Sequence, residues 1–253
     1  MSKATDRRTS SSTKKTGRYM NPLKTDTADQ RCFSISPSMM SRLFRKIGIP
    51  GNEVALVVDI MLTGVGGQGT VLAAKILAQA AQEKGWHVRT AETIGMAQRG
   101  GSVVSHVRMG DRGEQVHSPL IAYGAADALI AFEPAEAARM LDYLAPGGFL
   151  VTARTPIQPV TASLFGAAYN AAQVIEELQA MFPAVSERLV VVDDDVLLDR
   201  LGSRRALNTV LLASAIATGR LPLTLDDLRN AIRICVKPAF VDLNLQAIDI
   251  ATE

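Results

Sequence analysis

The sequence predicts an α/β fold: a Rossmann-like, mostly parallel sheet with helices on both faces and a helical C-terminal part. Three observations carry this expectation. From Val54 onwards, short apolar runs alternate with stretches of helical periodicity. The first of these runs enters a glycine-rich segment, Gly64-Val65-Gly66-Gly67-Gln68-Gly69, which opens directly into a helical pattern. From Arg205 to the C-terminus the pattern is helical almost throughout. Strands that alternate with helices imply crossover connections, and crossovers cover both faces of a parallel sheet.

The elements follow in order. Val54–Thr63 is an apolar run fit for a buried strand, and Gln68–Glu83 spaces Leu72, Ile76, Leu77 and Ala80 at helical intervals. Trp86–Glu92 and Ser102–Met109 read as strands, the second through Val103, Val104 and Val107. Ala128–Phe132 is another apolar strand, and a helix is expected over Pro134–Leu144, with proline in its first turn. Pro146-Gly147-Gly148 reads as a turn into the strand Phe149–Ala153. A helix around Ala171–Met181 leads to the strand Leu189–Val192. Helices then cover Arg205–Thr218, which Gly219 stops, Thr224–Val236 and Phe240–Ala251. Two regions result: a basic leader over 1–52 and a folded domain over 53–253.

Composition narrows the function classes. Of the 253 residues, 47% are hydrophobic and 21% charged, a globular mix that excludes disorder of the whole chain and fibrous classes. The net charge of +2 hides a split: residues 1–50 hold 11 Lys/Arg against 3 Asp/Glu, and the rest holds 16 against 22. An acidic body argues against nucleic acid as a partner, because phosphate backbones require clustered cations on the folded surface. No apolar stretch is long enough to span a bilayer, so no membrane role is expected. The acid-poor leader, with its run Thr9-Ser10-Ser11-Ser12-Thr13, reads as disordered; a transit-type presequence and an over-long start are the alternatives. Cys32 and Cys235 stand far apart, with no C-x-x-C and no metal-spaced Cys/His cluster, so free thiols in a reducing cytoplasm are expected. No metal site is expected.

The chemistry lies in two glycine segments. Gly64, Gly66 and Gly69 satisfy G-x-G-x-x-G between a strand and a helix, where backbone N–H groups can approach a phosphate and the helix dipole favours an anion. Glu92 follows Gly69 by 23 residues, where a dinucleotide fold carries its ribose-binding acid. The bland alternative is a glycine turn that permits close helix–strand packing. The second segment, Gly95-Met96-Ala97-Gln98-Arg99-Gly100-Gly101, joins two strands and could present the Arg99 guanidinium to an anion; a solvated surface turn is the alternative. His87, His106 and His117 read as structural, and Asp193-Asp194-Asp195 as a helix start rather than a divalent-metal site. Arg204 and Arg205 could meet an acid on a partner, but read better as a solvated helix start. No nucleophile elbow and no Walker lysine occurs, and no catalytic residue is identified.

Together the segments carry a resemblance. Met61-Leu62-Thr63 running into G-V-G-G-Q-G-T, then G-M-A-Q-R-G-G-S-V-V-S-H-V-R, resembles the gamma-type subunits of 2-oxoacid:ferredoxin oxidoreductases, and within them the indolepyruvate branch. Ala206-Leu207-Asn208, Leu221-Pro222-Leu223, Ala231-Ile232 and Asn244 fit the same pattern, which covers roughly residues 58–251. The resemblance implies oxidative decarboxylation of an arylpyruvate on thiamine diphosphate, acyl transfer to coenzyme A, and electrons leaving through iron–sulfur clusters to ferredoxin. It places thiamine diphosphate and the clusters on a large partner subunit, leaving this chain inactive alone. It also implies that Gly64, Gly66, Gly67, Gln68, Gly69, Gln98, Arg99, Gly100 and Gly101 face coenzyme A or the partner's active site. A free-standing NAD(P)-dependent oxidoreductase and a non-catalytic interaction module are the rival readings.

Overall fold

The computed structural model describes residues 56–95, 101–111, 116–157, 169–182 and 187–253. The expected leader over 1–52, its boundary with the domain, and Gln98, Arg99 and Gly100 lie outside the described residues.

Six strands form one sheet: β1 (Val57–Val65), β2 (His87–Ile94), β3 (Ser102–Gly110), β4 (Ala126–Ala131), β5 (Leu144–Ala153) and β6 (Leu189–Val192), in the order β2-β3-β1-β4-β5-β6. The helices are α1 (Thr70–Glu83), α2 (Pro134–Arg139), α3 (Ala171–Met181), α4 (Asp194–Leu201), α5 (Leu207–Ala217), α6 (Leu225–Cys235) and α7 (Pro238–Thr252). Strands β1, β4, β5 and β6 pair in parallel, whereas β3 is antiparallel to both of its neighbours. The reversal has a simple cause. Only residues 95–101 link β2 to β3, far fewer than the dozen or so that a parallel crossover needs, so the chain must turn back.

Side chains alternate along β1 and build a core on each face. Val58, Ile60 and Leu62 join Ala73, Ile76, Leu77 and Ala80 of α1, with α5, α6 and α7 packed over them. Met61 points the other way, among Leu129, Ala131 and Leu150, and is covered by Ala137 of α2 and Leu178 of α3. Helix α5 is buried almost all round through Val210, Leu211, Leu212, Ala213, Ala215 and Ile216, which explains why it reads as apolar rather than amphipathic. Helix α6 is the opposite case. It starts with a capping box in which Thr224 accepts from the Asp227 backbone and Asp227 accepts from Thr224, and Lys84 at the end of α1 pairs with Asp227 at 3.1 Å.

Two expected boundaries are corrected. The helix over Pro134–Leu144 stops at Arg139, a 3-10 turn follows at Leu141–Tyr143, and Leu144 already opens β5. Pro146-Gly147-Gly148 is therefore not a turn before a strand but lies inside one. Ala126 pairs with Leu144, yet Ala128 pairs with Phe149, so β5 carries extra residues in a bulge. Gly148 permits it: a Cβ there would stand 2.6 Å from the Ala126 carbonyl oxygen.

Connections leave β1 towards β3 and β2, and leave β4 towards β5 and β6. The carboxyl ends of β1 and β4 therefore form a topological switch point, the place where open α/β sheets bind ligands.

Candidate functional site

At that switch point β1 runs into the first glycine loop. Gln68 folds its side chain back across it: Oε1 accepts from the Val65 N–H at 2.6 Å, and Nε2 donates to the Phe132 carbonyl beyond β4 at 2.7 Å. Gly64 makes room for this brace, since a Cβ there would meet Gln68 Oε1 and Phe132 Cβ at 2.8 Å. The backbone then turns outwards. Gly67 has φ +104° and Gly69 φ +84°, angles that L side chains rarely adopt. Nothing lies within 4 Å of a Cβ built on Gly67. Gly69 is the N-cap of α1 and offers no side chain to the N–H groups of its first turn. The loop thus turns its polar side chain inwards and presents backbone donors and a helix dipole outwards, a combination suited to an anion.

The second segment arrives at the same place. The Gly66 N–H donates to the Gly101 carbonyl at 2.9 Å, and the Gly95 N–H donates to the Ser102 carbonyl at 3.0 Å, closing the link between β2 and β3. The structure therefore brings Gly64, Gly66, Gly67, Gln68, Gly69 and Gly101 together. Of these, Gln68 has its amide engaged within the protein.

Sequence reasoning missed a buried acidic pair beneath the loops. Glu133 follows β4 and is 2% exposed; its Oε2 accepts from the Glu136 N–H at 3.0 Å as the cap of α2. Burial pushes its pKa up, and the neighbouring Glu136 charge adds to this against several backbone hydrogen bonds. Glu136 is held differently: Oε2 accepts from Ser102 Oγ at 2.5 Å and from Thr63 Oγ1 at 3.3 Å, and Arg139 stands 3.6 Å from Oε1. It thereby ties β1, β3 and α2 together at the switch point. The only signal in the sequence was an acid immediately after an apolar strand, Phe132-Glu133-Pro134.

The remaining candidates resolve locally. His106 is structural: Nδ1 accepts from the Ile121 N–H at 3.3 Å, and burial, with the Arg108 charge, lowers its pKa. Arg108 grips Asp59 with two nitrogens, at 2.8 and 3.2 Å, and donates to the Ser118 and Leu120 carbonyls. His87 lies on β2, and His117 is exposed. The aspartate run does sit at a helix start, but the α4 cap, Asp193, makes no side-chain hydrogen bond to the helix. Instead Asp194 Oδ1 accepts from the Arg154 and Thr155 N–H groups at 2.8 and 3.0 Å, Asp193 pairs with Arg154, and Asp195 pairs with Arg204. Glu92 is exposed on β2 at the sheet edge, two strands from β1 and roughly 10 Å away by strand spacing. A dinucleotide fold needs that acid on the strand beside β1, so the geometry removes the main support for an NAD(P) site.

No helix among the described residues is long and apolar enough to cross a membrane. Residues 59–253 match the family model for pyruvate ferredoxin/flavodoxin oxidoreductases. The indolepyruvate oxidoreductase subunit IorB of Pyrococcus horikoshii is 35% identical over 195 residues, covering 77% of this chain and 94% of that protein. Among solved structures, the gamma subunit of a keto/oxoacid ferredoxin oxidoreductase from Geobacter sulfurreducens superposes with a TM-score of 0.53 at 23% identity, covering 77% of this chain and 96% of that one. The 2-oxoglutarate:ferredoxin oxidoreductase of Magnetococcus marinus, solved with 2-oxoglutarate, coenzyme A and succinyl-CoA bound, superposes with a TM-score of 0.56 at 18% identity. The match covers 77% of this chain but 30% of the longer one, so there the fold forms part of a larger polypeptide. With residues 59–253 matched by the family model and 94% of a 35% identical relative covered, the chain belongs to the pyruvate ferredoxin/flavodoxin oxidoreductase family.

Proposed function

We propose that this chain is the gamma-type subunit of a cytoplasmic oxidoreductase that converts an arylpyruvate such as indolepyruvate to its acyl-coenzyme A, with electrons passing to ferredoxin. The name of the 35% identical relative supports the substrate class. The carrying observation is the Gly66 N–H to Gly101 carbonyl bond, which joins two sequence-distant glycine segments into one mouth at the switch point. The division of labour follows from the donor set. An iron–sulfur cluster takes four thiolates as a rule, and the sequence holds two cysteines, so the residues present do not fit a cluster. Thiamine diphosphate and the clusters belong to a large partner subunit, and this chain is inactive alone.

In this reading the chain binds and orients rather than reacts. The uncapped first turn of α1 and the open backbone at Gly67 hold an oxyanion of coenzyme A or of the partner-bound substrate, and Arg99 supplies the countercharge. Raising the pKa of Glu133 favours its neutral form, which lessens the negative charge beneath the loop.

The test reconstitutes the chain with its partner and follows arylpyruvate- and coenzyme-A-dependent reduction of a viologen dye. Arg99→Ala should lower turnover about 10- to 150-fold, the worth of a charge-assisted hydrogen bond, with the complex still assembled. Wild-type turnover in an assembled Arg99→Ala complex would exclude Arg99 from the site.

A further inference from the structure

Ser102 sits where the second glycine segment closes on the first. Its carbonyl accepts from the Gly95 N–H at 3.0 Å, which closes the neck of the segment, and the preceding Gly101 carbonyl accepts from the Gly66 N–H at 2.9 Å. In the sheet Ser102 stands opposite Val65, whose N–H is held by Gln68. Its hydroxyl leaves this backbone frame and donates to Glu136 Oε2 at 2.5 Å. The same carboxylate oxygen accepts from Oγ1 of Thr63, the residue before Gly64, at 3.3 Å. One buried oxygen therefore holds a hydroxyl from the foot of each glycine segment.

A carboxylate is a costly way to hold a strand to a helix. Glu136 is 5% exposed, and the hydration it loses on burial must be replaced by its partners. Apolar packing would join the elements without that loss. Packing is what the glycine segments lack, because Gly64, Gly66, Gly100 and Gly101 offer no Cβ and their backbone reaches many conformations. A polar anchor at Ser102 and Thr63 does for the mouth what side-chain packing does elsewhere. The anchor is itself oriented: Glu133 caps α2 by accepting from the Glu136 N–H, and Arg139 stands 3.6 Å from Glu136 Oε1.

We propose that Ser102 and Glu136 are positioning residues of the glycine mouth. The hydroxyl–carboxylate bond fixes the neck of the second segment against the first, and so sets where the backbone donors from Gly66 to Gly69 meet their anion. This rests on the function proposed above and adds to it side chains that act through the loops without touching the ligand. Neither residue belongs to the glycine segments themselves.

Ser102→Ala removes the hydroxyl and leaves the backbone contacts in place. On the isolated chain, amide exchange of Gly66 should quicken at least about tenfold, since a hydrogen bond to a charged group no longer steadies the neck. In the complex reconstituted with the partner, KM for coenzyme A or for the arylpyruvate should rise at least about tenfold with kcat within about twofold, the pattern of lost ground-state binding. Which of the two KM values rises identifies the ligand that the mouth holds. Arg108→Ala is the control for instability alone, because Arg108 holds Asp59 and the Ser118 and Leu120 carbonyls, away from the loops; it should leave both readouts at parent values. Ser102→Thr keeps the hydroxyl and should restore both. Parent-like exchange at Gly66 in Ser102→Ala would overturn the joint between the segments. Quickened exchange with parent-like KM values would overturn the positioning role, as would equal KM shifts in Arg108→Ala or a Ser102→Thr variant no better than Ser102→Ala. Failure of the proposed function shows separately, as a parent complex with no arylpyruvate- and coenzyme-A-dependent dye reduction, and exchange on the isolated chain still decides the joint.

Discussion

Gln68 separates two accounts of the glycine loop. If its amide faces a ligand, replacing it should spare folding and lower turnover. If it braces the loop, replacing it should destabilise the chain even when no partner or ligand is present. Gln68→Glu is the sharper perturbation because size and reach are conserved. The carboxylate can still accept from the Val65 N–H, now 2.6 Å away, but it has no proton for the Phe132 carbonyl, now 2.7 Å away. The lost hydrogen bond removes about 1 kcal/mol, and a carbonyl left facing a carboxylate oxygen adds about as much again at this half-buried position. Together these give about 2 kcal/mol. For a domain of this size each kcal/mol lowers Tm by about 2–4 °C, so a fall of about 4–8 °C is expected. Far-UV circular dichroism melts of the isolated chain measure it, with urea unfolding as a second scale. A shift under about 2 °C would refute the brace and return Gln68 to the ligand side.

The other expectations rest on separate contacts. Gly64→Ala should cost about 1–3 kcal/mol by overpacking against Phe132 and Gln68, whereas Gly67→Ala should cost about 1 kcal/mol, for its positive φ alone; melting of the pair gives the order, and a Gly67→Ala penalty larger than that of Gly64→Ala would contradict it. Arg108→Ala should cost about 2–3 kcal/mol, because Asp59 loses a two-pronged partner and the Ser118 and Leu120 carbonyls lose their donor; hydrogen exchange should speed up across residues 116–121. Glu133 holds its proton more tightly folded than unfolded, so it makes stability fall as pH rises from the ordinary carboxylate range through its raised pKa. Glu133→Gln should therefore gain on wild type between acidic and neutral pH, and a difference in Tm that stays flat with pH would exclude a raised pKa.

The parts of the fold legible in the sequence were those set by local periodicity and glycine. The strand–loop–helix unit from Val57 to Glu83 is one, since burial on both faces leaves an apolar run and α1 keeps its helical spacing. The direction of β3 was legible in principle, because the seven residues 95–101 are too few for a crossover. The β5 bulge was not, because Pro146-Gly147-Gly148 has the same composition in a turn and in a strand that must let Ala126 approach. The acid pair also escaped notice. Arg139, three residues on along α2, is a partner that helical spacing encodes, but Thr63 of β1 and Ser102 of β3 converge on Glu136 from two other elements, and no spacing along the chain encodes that convergence. Asn208 is the same kind of case, buried by contact with Gly69 some 140 residues earlier.

These contacts suggest why a site of this kind can be built largely from glycine. Three polar side chains around the first loop are spent on holding the frame: Gln68 spans from β1 to the end of β4, Glu136 ties β1 to β3 and α2, and Glu133 caps α2. What remains to face outwards is backbone, shaped by the positive φ of Gly67 and Gly69 and fixed by the bond from Gly66 to Gly101. Backbone donors on a rigid frame need no side-chain ordering when they meet an anion, so more of the contact energy survives as binding. They also carry little chemical specificity of their own. Under the function proposed above, discrimination between one 2-oxoacid and another is then expected from side chains beyond this backbone, those of the partner subunit among them. The consequence is testable at the level of kinetics: changes in the loop backbone should weaken use of every 2-oxoacid alike, and changes in the partner should alter the choice among them.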